Sequence, residues 1–518
     1  MMDFLAHPLS LQTVYLLVSV AIAWSAAIVV YRLYFSPIAN VPGPKLAAAT
    51  GLVEIWYDLV LGGQYVFQIE KWHEQYGPIV RITPWQVHIR DPDFHDELYT
   101  MKQPRHRKLD YICHRFNTPS SLSDTPDSDL HDRRRAPVAS LFSRQRVQQL
   151  LPSVQQKAHR VVDHIQRYCD EEGKVVRLDK AWAAYATDNV LWFTLAMSYN
   201  FVDAPGFLCS FTEATSNLIY SIHWLTHFPI LMKVFNAIPP KTLTRLSEEI
   251  GAIFQFQEDV RGQVRRVVSG ENEGHKAVAH RTVFHELSKE IGQAPGAMKE
   301  MEDNGVNTTL AGVETTTRSG SLTSFWILKK PEVHARLKAE LEAAIPDPMD
   351  IPSFTELEKL PYLNAVIQEG LRLTYGVSGR IARWNPSISV RYRDYVLPPR
   401  TEFAMTPALQ HRNPDIFPGP LEYIPERWLD NPVSPSGHPL SKYMVVFSRG
   451  PRMCLGMHLA QAELFIGIAT IFRRLDVGLL ETERDVVDMA ADYFAPVPGN
   501  AKGGVRIRRK AGDEELGE

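Results

Sequence analysis

The chain has 518 residues, of which 45% are hydrophobic and 22% are charged, a composition typical of a globular protein with a large core. This composition excludes a disordered chain and a small disulfide-stapled domain. The formal net charge of -3 gives no global positive field, so nucleic acid is not an expected partner.

An apolar segment near the N-terminus predicts a membrane anchor. Residues 9–31 form 23 positions without a charge, and a helix of that length spans about 34 Å against a hydrocarbon core of about 30 Å. The alternative is a cleaved signal peptide, but the preceding residues carry Asp3 and no Lys or Arg. We therefore predict an anchor over residues 1–35, with Arg32 and Lys45 placing the rest of the chain in the cytosol.

The pattern after the anchor predicts one large, mainly helical domain. Prolines in residues 36–44 indicate a stiff hinge. One large globular domain follows over 45–510, and 511–518 form a charged tail. Apolar spacings of three and four between Arg133 and Ala344 predict several amphipathic helices. Alternating segments near 78–87 and 387–396 predict small β-sheets. The expected fold class is therefore mainly α with small β-sheets.

The most informative motif surrounds Cys454, in the segment FSRGPRMCLG of residues 447–456. The amphipathic sequence that follows predicts a helix. A cysteine just before a helix N-terminus is stabilised as the thiolate, which is the form that ligates metals. Gly450 and Gly456 leave room for a flat cofactor close to the backbone. The alternative is a small buried cysteine with a structural role.

This segment resembles the cysteine-ligand signature of the cytochrome P450 family, F-x-x-G-x-R-x-C-x-G, at every fixed position. The resemblance implies a P450-like fold and haem b, with Cys454 as the axial thiolate ligand of the iron. It further implies that Phe447 shields the sulfur and that Arg452 pairs with a haem propionate. Gly450 and Gly456 complete the expected cofactor-binding loop.

A second motif, AGVETT at residues 311–316, resembles the family's oxygen-groove motif on a long central helix. Its two small residues let a helix pass close to a cofactor. An adjacent acid and hydroxyl, Glu314 and Thr315, can relay protons and are the predicted catalytic residues. The alternative is that Thr315 bonds back to a carbonyl of its own helix.

Glu369 and Arg372 lie three residues apart on one predicted helix face and can form an ion pair. The resemblance adds Arg427, from the segment PERW at residues 425–428, to make a three-residue network. Its expected role is structural, because it would hold the loop that carries the cysteine.

Further cofactor contacts follow from the resemblance alone. His131 and Arg135 fit an early-helix pattern that contacts the haem propionates, although three adjacent arginines leave open which of them turns inward. Arg383 is a further propionate candidate by position. The guanidinium group suits carboxylates because it binds them in a bidentate way.

The resemblance implies a haem-thiolate monooxygenase that inserts one atom of O2 into a lipophilic small molecule, such as a terpenoid or polyketide intermediate. The expected electron source is NADPH through a separate cytochrome P450 reductase on the endoplasmic reticulum membrane, with cytochrome b5 as an optional second donor. No G-x-G dinucleotide fingerprint occurs in the chain. The alternatives are a haem-thiolate isomerase or dehydratase, and a membrane-tethered haem protein that only senses a ligand.

Overall fold

The computed structural model describes residues 11–100, 105–172, 174–292 and 294–510. The chain forms two compact units. The first comprises the described part of Met1–Asp91 together with Ala382–Met405, and the second comprises the described part of Pro92–Ile381 together with Thr406–Glu518. The predicted tail and the first residues of the apolar segment lie outside the described residues, and the predicted domain bounds stay predictions.

The first unit begins with the predicted apolar helix. Its helices are α1 (Leu11–Val30), α2 (Lys45–Ala49), α3 (Leu52–Ile55) and α4 (Tyr65–Tyr76). A π-helical turn, Tyr31–Phe35, continues α1. Within the span Leu11–Phe35, an 18-residue window has a mean hydropathy of 2.2 and contains no buried residue. This helix therefore has the length and composition to cross a membrane.

Two small sheets belong to the first unit. Its strands are β1 (Ile79–Arg81), β2 (Gln86–Ile89), β4 (Val390–Tyr392), β5 (Tyr395–Leu397) and β6 (Glu402–Ala404). Strand β2 pairs antiparallel with β1 and parallel with β6, and β4 pairs with β5. Each predicted β segment thus contains a chain reversal, because a turn interrupts the alternating pattern.

The second unit carries most of the helices. They are α5 (His95–Tyr99), α6 (Ser128–Ala139), α7 (Arg144–Glu172), α8 (Leu178–Leu195), α9 (Ser210–His227), α10 (Ile230–Ala237), α11 (Pro240–Leu246), α12 (Glu248–Val268), α13 (Val283–Ile291), α14 (Ala297–Lys329), α15 (Pro331–Ala344), α16 (Phe354–Leu357), α17 (Pro361–Thr374), α18 (Pro407–His411) and α19 (Met457–Arg474). The predicted helices between Arg133 and Ala344 correspond to α6 through α15.

Helix α14 is the long central element of the second unit. Proline is absent from its 33 residues, so no backbone hydrogen bond is lost to that residue type. A Cβ atom at Gly320 would lie 2.2 Å from the Trp182 ring of α8, and Trp182 Nε1 donates to Ser324 Oγ at 3.1 Å. The absence of a side chain at Gly320 therefore permits the close packing of α14 on α8.

The remaining strands form two small sheets in the second unit. They are β3 (Val176–Arg177), β7 (Val477–Leu479), β8 (Met489–Tyr493), β9 (Ala495–Pro498) and β10 (Arg506–Arg509). Strand β10 lies between β3 and β7. Strands β8 and β9 form a hairpin, with Phe494 at its turn in the left-handed region, φ +73°. The expectation of a mainly helical protein with small sheets is confirmed.

Candidate functional site

The Cys454 loop is ordered by its own backbone and leads into α19 as predicted. Cys454 N donates to Phe447 O at 2.8 Å, and Met453 N donates to Gly450 O at 3.0 Å. The Phe447 side chain packs against the main hydrophobic core of the second unit. These two backbone hydrogen bonds fix the conformation of the loop, and Cys454 lies just before the first turn of α19.

The Cys454 side chain is accessible, yet burial raises the pKa of its thiol. The sulfur is therefore open on one side, while protein atoms surround the rest of the group. The backbone N–H of Gly456 and the charge of Arg135 act in the opposite direction and lower that pKa. These two positive groups favour the thiolate that a metal would stabilise further.

The two loop glycines serve different purposes. Gly450 has φ +73°, and a Cβ atom there would lie 2.3 Å from Tyr99 O, so any side chain is excluded by the protein itself. Gly456 has φ -83°, and a Cβ atom there would meet no atom within 4 Å. No described residue is close enough to require glycine at position 456. A flat cofactor lying against this backbone would require it, because a side chain would occupy the same space.

Two arginines connect the Cys454 loop reciprocally to α6 and the segment before it. From α6, Arg135 Nη1 donates to Met453 O at 3.0 Å. From the loop, Arg452 donates to Thr125 O at 2.8 Å and to Pro126 O at 3.0 Å. In this structure the Arg452 guanidinium thus binds backbone carbonyls, and its predicted pairing with a propionate stays a prediction.

The structure distinguishes the three adjacent arginines of α6. Arg133 is exposed, whereas Arg134 and Arg135 are partly buried. Arg134 Nη1 donates to Thr125 Oγ1 at 2.6 Å, so Arg135 is the member of the three that reaches the Cys454 loop. His131 is buried, with Nδ1 3.4 Å from Asp132 Oδ1.

Arg383 belongs to the first unit, unlike the other predicted cofactor contacts. Its side chain is buried, and its Nη1 donates to Ala382 O at 2.8 Å. Its backbone pairs with Phe403 in an isolated bridge. Its proposed contact with a propionate stays a prediction.

The predicted network of Glu369, Arg372 and Arg427 is assembled in the interior of the second unit. Arg372 binds both carboxylate oxygens of Glu369, at 2.9 and 2.7 Å. Arg427 Nε donates to Glu369 Oε1 at 3.0 Å. The Glu369 and Arg372 side chains are 0% exposed, and Trp428 Nε1 also donates to the carboxylate, at 2.9 Å.

Sequence reasoning missed His411, which links this network to the Cys454 loop. His411 Nδ1 lies 3.0 Å from Arg372 O, and His411 Nε2 accepts a hydrogen bond from Val445 N at 2.9 Å. Since Nε2 is the acceptor, Nδ1 carries the proton and donates to Arg372. Burial lowers the pKa of His411 to about 3, which keeps the imidazole neutral.

Thr315 lies on an accessible face of α14. Ala311 and Thr315 are exposed although Leu310, Val313 and Thr316 are buried, as expected where a central helix borders an internal cleft. Thr315 Oγ1 donates to Ala311 O at 2.8 Å. The hydroxyl therefore bonds back to a carbonyl of its own helix, as the structural alternative for Thr315 predicts. Its oxygen lone pairs can still accept a hydrogen bond from an approaching donor.

Glu314 points to a different cleft. Arg318 Nη2 donates to Glu314 Oε1 at 3.2 Å, and both residues line a cavity of about 150 Å³ with Tyr220 and Lys180. Consecutive helix residues project about 100° apart, which separates the Glu314 carboxylate from the Thr315 face. The structure thus does not bring the two predicted catalytic side chains together.

Comparisons with known proteins identify the family of the chain. The family model described as cytochrome P450 matches residues 47–495. Cytochrome P450 monooxygenase orf6 of Eupenicillium brefeldianum is 39% identical, over 94% of this chain and 97% of that protein. Tryptophan 6-hydroxylase fscE of Fusarium equiseti is 36% identical, over 96% and 97%. Conidiogenone synthase PchP450 of Penicillium rubens is 35% identical, over 93% and 96%.

The residues present fit a haem group. An accessible thiol inside a dense protein shell, the open space at Gly456 and the accessible Ala311–Thr315 face of α14 are the features that such a cofactor requires. The predicted enzyme class, an oxidoreductase with haem bound through a cysteine thiolate, is confirmed by the family match. The chain belongs to the cytochrome P450 family.

Proposed function

We propose that this haem-thiolate monooxygenase oxidises a terpenoid or polyketide intermediate of secondary metabolism. Its relatives include a conidiogenone synthase and a tryptophan hydroxylase from filamentous fungi, so the shared reaction is oxidation of a small organic molecule. The observation that carries the proposal is the Cys454 loop, whose backbone, glycines and neighbouring Arg135 all fit a thiolate ligand of haem.

Five of the predicted site residues act directly in this proposal. Haem bound through Cys454 supplies the activation of O2. Gly456 leaves space for the flat group, Phe447 covers the sulfur, and Arg135 holds the loop carbonyl while lowering the pKa of the thiol. Thr315 orients a proton donor at its Oγ1, the oxygen that faces the accessible side of α14.

Glu314 would serve the same proton supply indirectly. Its carboxylate is held by Arg318 in the neighbouring cleft, so it cannot pass a proton to Thr315 in this arrangement. Rotation of its side chain away from Arg318 would be needed to deliver a proton. We therefore propose Glu314 as a gated donor and Thr315 as the residue that acts directly.

An apolar cluster supports a lipophilic substrate. Leu310 precedes the accessible Ala311 on α14 and packs in a cluster with Phe116, Leu218 and Ile222. Partly buried rings, including Phe494, pack against this cluster. Partly open apolar side chains beside the α14 face provide the surface that a lipophilic molecule would cover.

The electron supply and location are further parts of the proposal. A redox partner is required by the family chemistry, and we propose an NADPH-dependent cytochrome P450 reductase, with cytochrome b5 as an optional second donor. The exposed span Leu11–Phe35 fits a membrane anchor. We propose that it holds the enzyme in the endoplasmic reticulum membrane with the catalytic part in the cytosol.

The alternatives are less favoured. An isomerase, a dehydratase or a ligand sensor would also keep Cys454, but several relatives are named cytochrome P450 monooxygenases. Such proteins would turn over, or bind their ligand, without NADPH. Product formation that depends on NADPH and O2 separates the three possibilities.

The test uses the full chain expressed with a reductase in microsomes. Reduced protein with carbon monoxide should give the absorbance band of thiolate-ligated haem, and Cys454→Ser should abolish it while Cys169→Ser, which changes a buried cysteine elsewhere, should not. Terpenoid and polyketide precursors are then screened by mass spectrometry for gain of oxygen. A folded wild-type protein without the band would overturn the proposal.

A further inference from the structure

Arg115 is a cation placed among aromatic rings beside the apolar cluster that includes Phe116 and Leu310. Its Cζ lies 4.5 Å from the centroid of the Phe494 ring and 5.3 Å from that of the Phe116 ring. These two rings meet edge to face with centroids 5.2 Å apart. Phe116 belongs to the same apolar cluster as Leu310, so the guanidinium borders the surface proposed to receive the substrate.

The Arg115 guanidinium lacks an acceptor within the described part of the chain. Its Nε is buried without a hydrogen-bond partner, and neither of its other nitrogens is bonded to a described residue. Arg372, by contrast, binds the Glu369 carboxylate and three backbone carbonyls. Acceptors thus saturate the Arg372 guanidinium, whereas the partly buried Arg115 guanidinium has none among the described residues.

The nearest acids are already engaged elsewhere. Asp124 accepts from Thr118 Oγ1 at 2.7 Å, and Asp492 accepts from Ser378 Oγ at 2.7 Å. Both act on Arg115 only through space, and burial lowers the pKa of Arg115. A desolvated cation without a bonded counter-charge destabilises the free protein, and an anionic ligand would remove that cost.

We propose that Arg115 binds a carboxylate of the substrate, which makes the substrate a lipophilic acid. This inference rests on the proposed function and narrows it to a substrate class. A guanidinium forms two parallel hydrogen bonds with a carboxylate, and the rings of Phe116 and Phe494 would fix its plane. The remainder of the ligand would cover the apolar cluster and reach towards the Ala311–Thr315 face.

The same carboxylate chemistry could come from the cofactor, because haem carries two propionates. A propionate partner would make Arg115 part of cofactor binding and would give no preference among substrates. The two sources differ in what a substitution changes: a substrate anchor alters ligand affinity at constant haem content, whereas a propionate anchor alters haem content itself.

The experiment compares acids with their methyl esters on the full-length holoenzyme in microsomes. The probes are abietic acid and dodecanoic acid, each paired with its methyl ester, and binding is measured by the change in haem absorbance. Wild type should bind at least one acid more tightly than its ester. In Arg115→Gln the affinity for that acid should fall roughly 10- to 100-fold, the loss of a charged hydrogen-bonded pair, while the ester affinity stays unchanged.

Two further variants make the result decisive. Arg115→Lys should retain part of the acid preference, because it keeps the charge without the bidentate geometry, and the exposed Arg167→Gln should behave as wild type. A wild type that binds no acid more tightly than its ester overturns the inference, as does loss of haem from Arg115→Gln. Both results leave the carbon monoxide band of the wild type, and hence the proposed function, intact.

Discussion

The backbone N–H of Val445 donates to Nε2 of His411 over 2.9 Å, while Nδ1 of the same ring lies 3.0 Å from the carbonyl of Arg372. One buried imidazole therefore connects the last turn of α17 to the chain segment that enters the Cys454 loop. Arg372 is also bound to Glu369, so the loop is attached through His411 to a fully buried ion pair.

Replacing His411 should loosen this attachment. His411→Ala leaves Val445 N–H and Arg372 C=O unpaired in the interior, at about 1–3 kcal/mol for each group. We expect a lower free energy of unfolding and weaker haem retention, measured by chemical denaturation and by haem content per polypeptide. The exposed His438→Ala should change stability by less than about 0.5 kcal/mol. Equal haem retention in the two variants would contradict the positioning role.

The same imidazole should make stability depend on pH. Its pKa is lowered from 6.5 to about 3 in the folded protein, so below about pH 6.5 the unfolded chain takes up a proton that the folded chain does not. Stability is thus fully present above that pH and is lost as the pH falls towards 3. Unfolding free energies between about pH 7.5 and 4.5 should fall less steeply in His411→Ala than in wild type. Identical slopes would show that His411 does not contribute.

Removing the Glu369 carboxylate should be severe. Glu369→Ala leaves Arg372 buried without its counter-charge, a change that costs about 3–5 kcal/mol, and we expect poor folding and loss of haem. The control is the exposed pair of Glu273 and Lys276, whose side chains are 64% and 63% exposed. There Glu273→Ala should lower the free energy of unfolding far less than Glu369→Ala, because solvent screens an exposed ion pair. A stable Glu369→Ala holoenzyme would contradict the structural role of the network.

The loop glycines allow a matched test of steric exclusion. Gly450 and Gly437 both have positive φ, +73° and +78°, but only at Gly450 would a Cβ atom meet backbone, 2.3 Å from Tyr99 O. Both alanine variants carry the strain of positive φ, about 1–2 kcal/mol. Gly450→Ala should therefore be clearly less stable than Gly437→Ala in thermal unfolding, and equal melting temperatures would refute this reading of the loop.

A substitution at Gly456 should affect haem binding and not the stability of the haem-free protein. A Cβ atom there meets nothing within 4 Å and φ is ordinary, so Gly456→Ala should leave the stability of the haem-free protein unchanged. If haem lies against this backbone, the added methyl group should lower haem affinity. Unfolding of the haem-free protein and haem titration measure the two effects separately. Unchanged haem affinity would remove Gly456 from the site.

Thr315 and Thr317 form a second matched pair. Both hydroxyls bond back to the helix, Thr315 to Ala311 O at 2.8 Å and Thr317 to Val313 O at 2.6 Å, but Thr315 lies on the accessible face. Thr315→Val should lower the yield of product per NADPH and raise the yield of peroxide, because the proton donor is no longer oriented. Thr317→Val should keep wild-type coupling. Equal coupling in both variants would exclude Thr315 from proton supply.

The sequence was most informative where function is carried by contiguous residues. The segment from Phe447 to Gly456 predicted the loop, and the spacing of Glu369 and Arg372 predicted an ion pair that the structure contains. The roles of His411 and Arg115 were not predicted. The partners of His411, and the Phe494 ring that contacts Arg115, lie far away in the chain, and no local pattern marks either residue. Glu314 was predicted from its adjacency to Thr315, and its carboxylate accepts a hydrogen bond from Arg318 in a separate cleft. Its catalytic role stays a prediction.

The arginines on either side of the Cys454 loop cross between two segments in opposite directions. Arg135 of α6 holds Met453 O, and Arg452 of the loop holds the carbonyls of Thr125 and Pro126. A slide of one segment along the other would break both sets of bonds at once, so the ligand loop and the start of α6 should travel as a single block. Conformational changes that admit a substrate must then occur elsewhere in the protein. The distance from the Cys454 sulfur to α6 should stay constant throughout turnover.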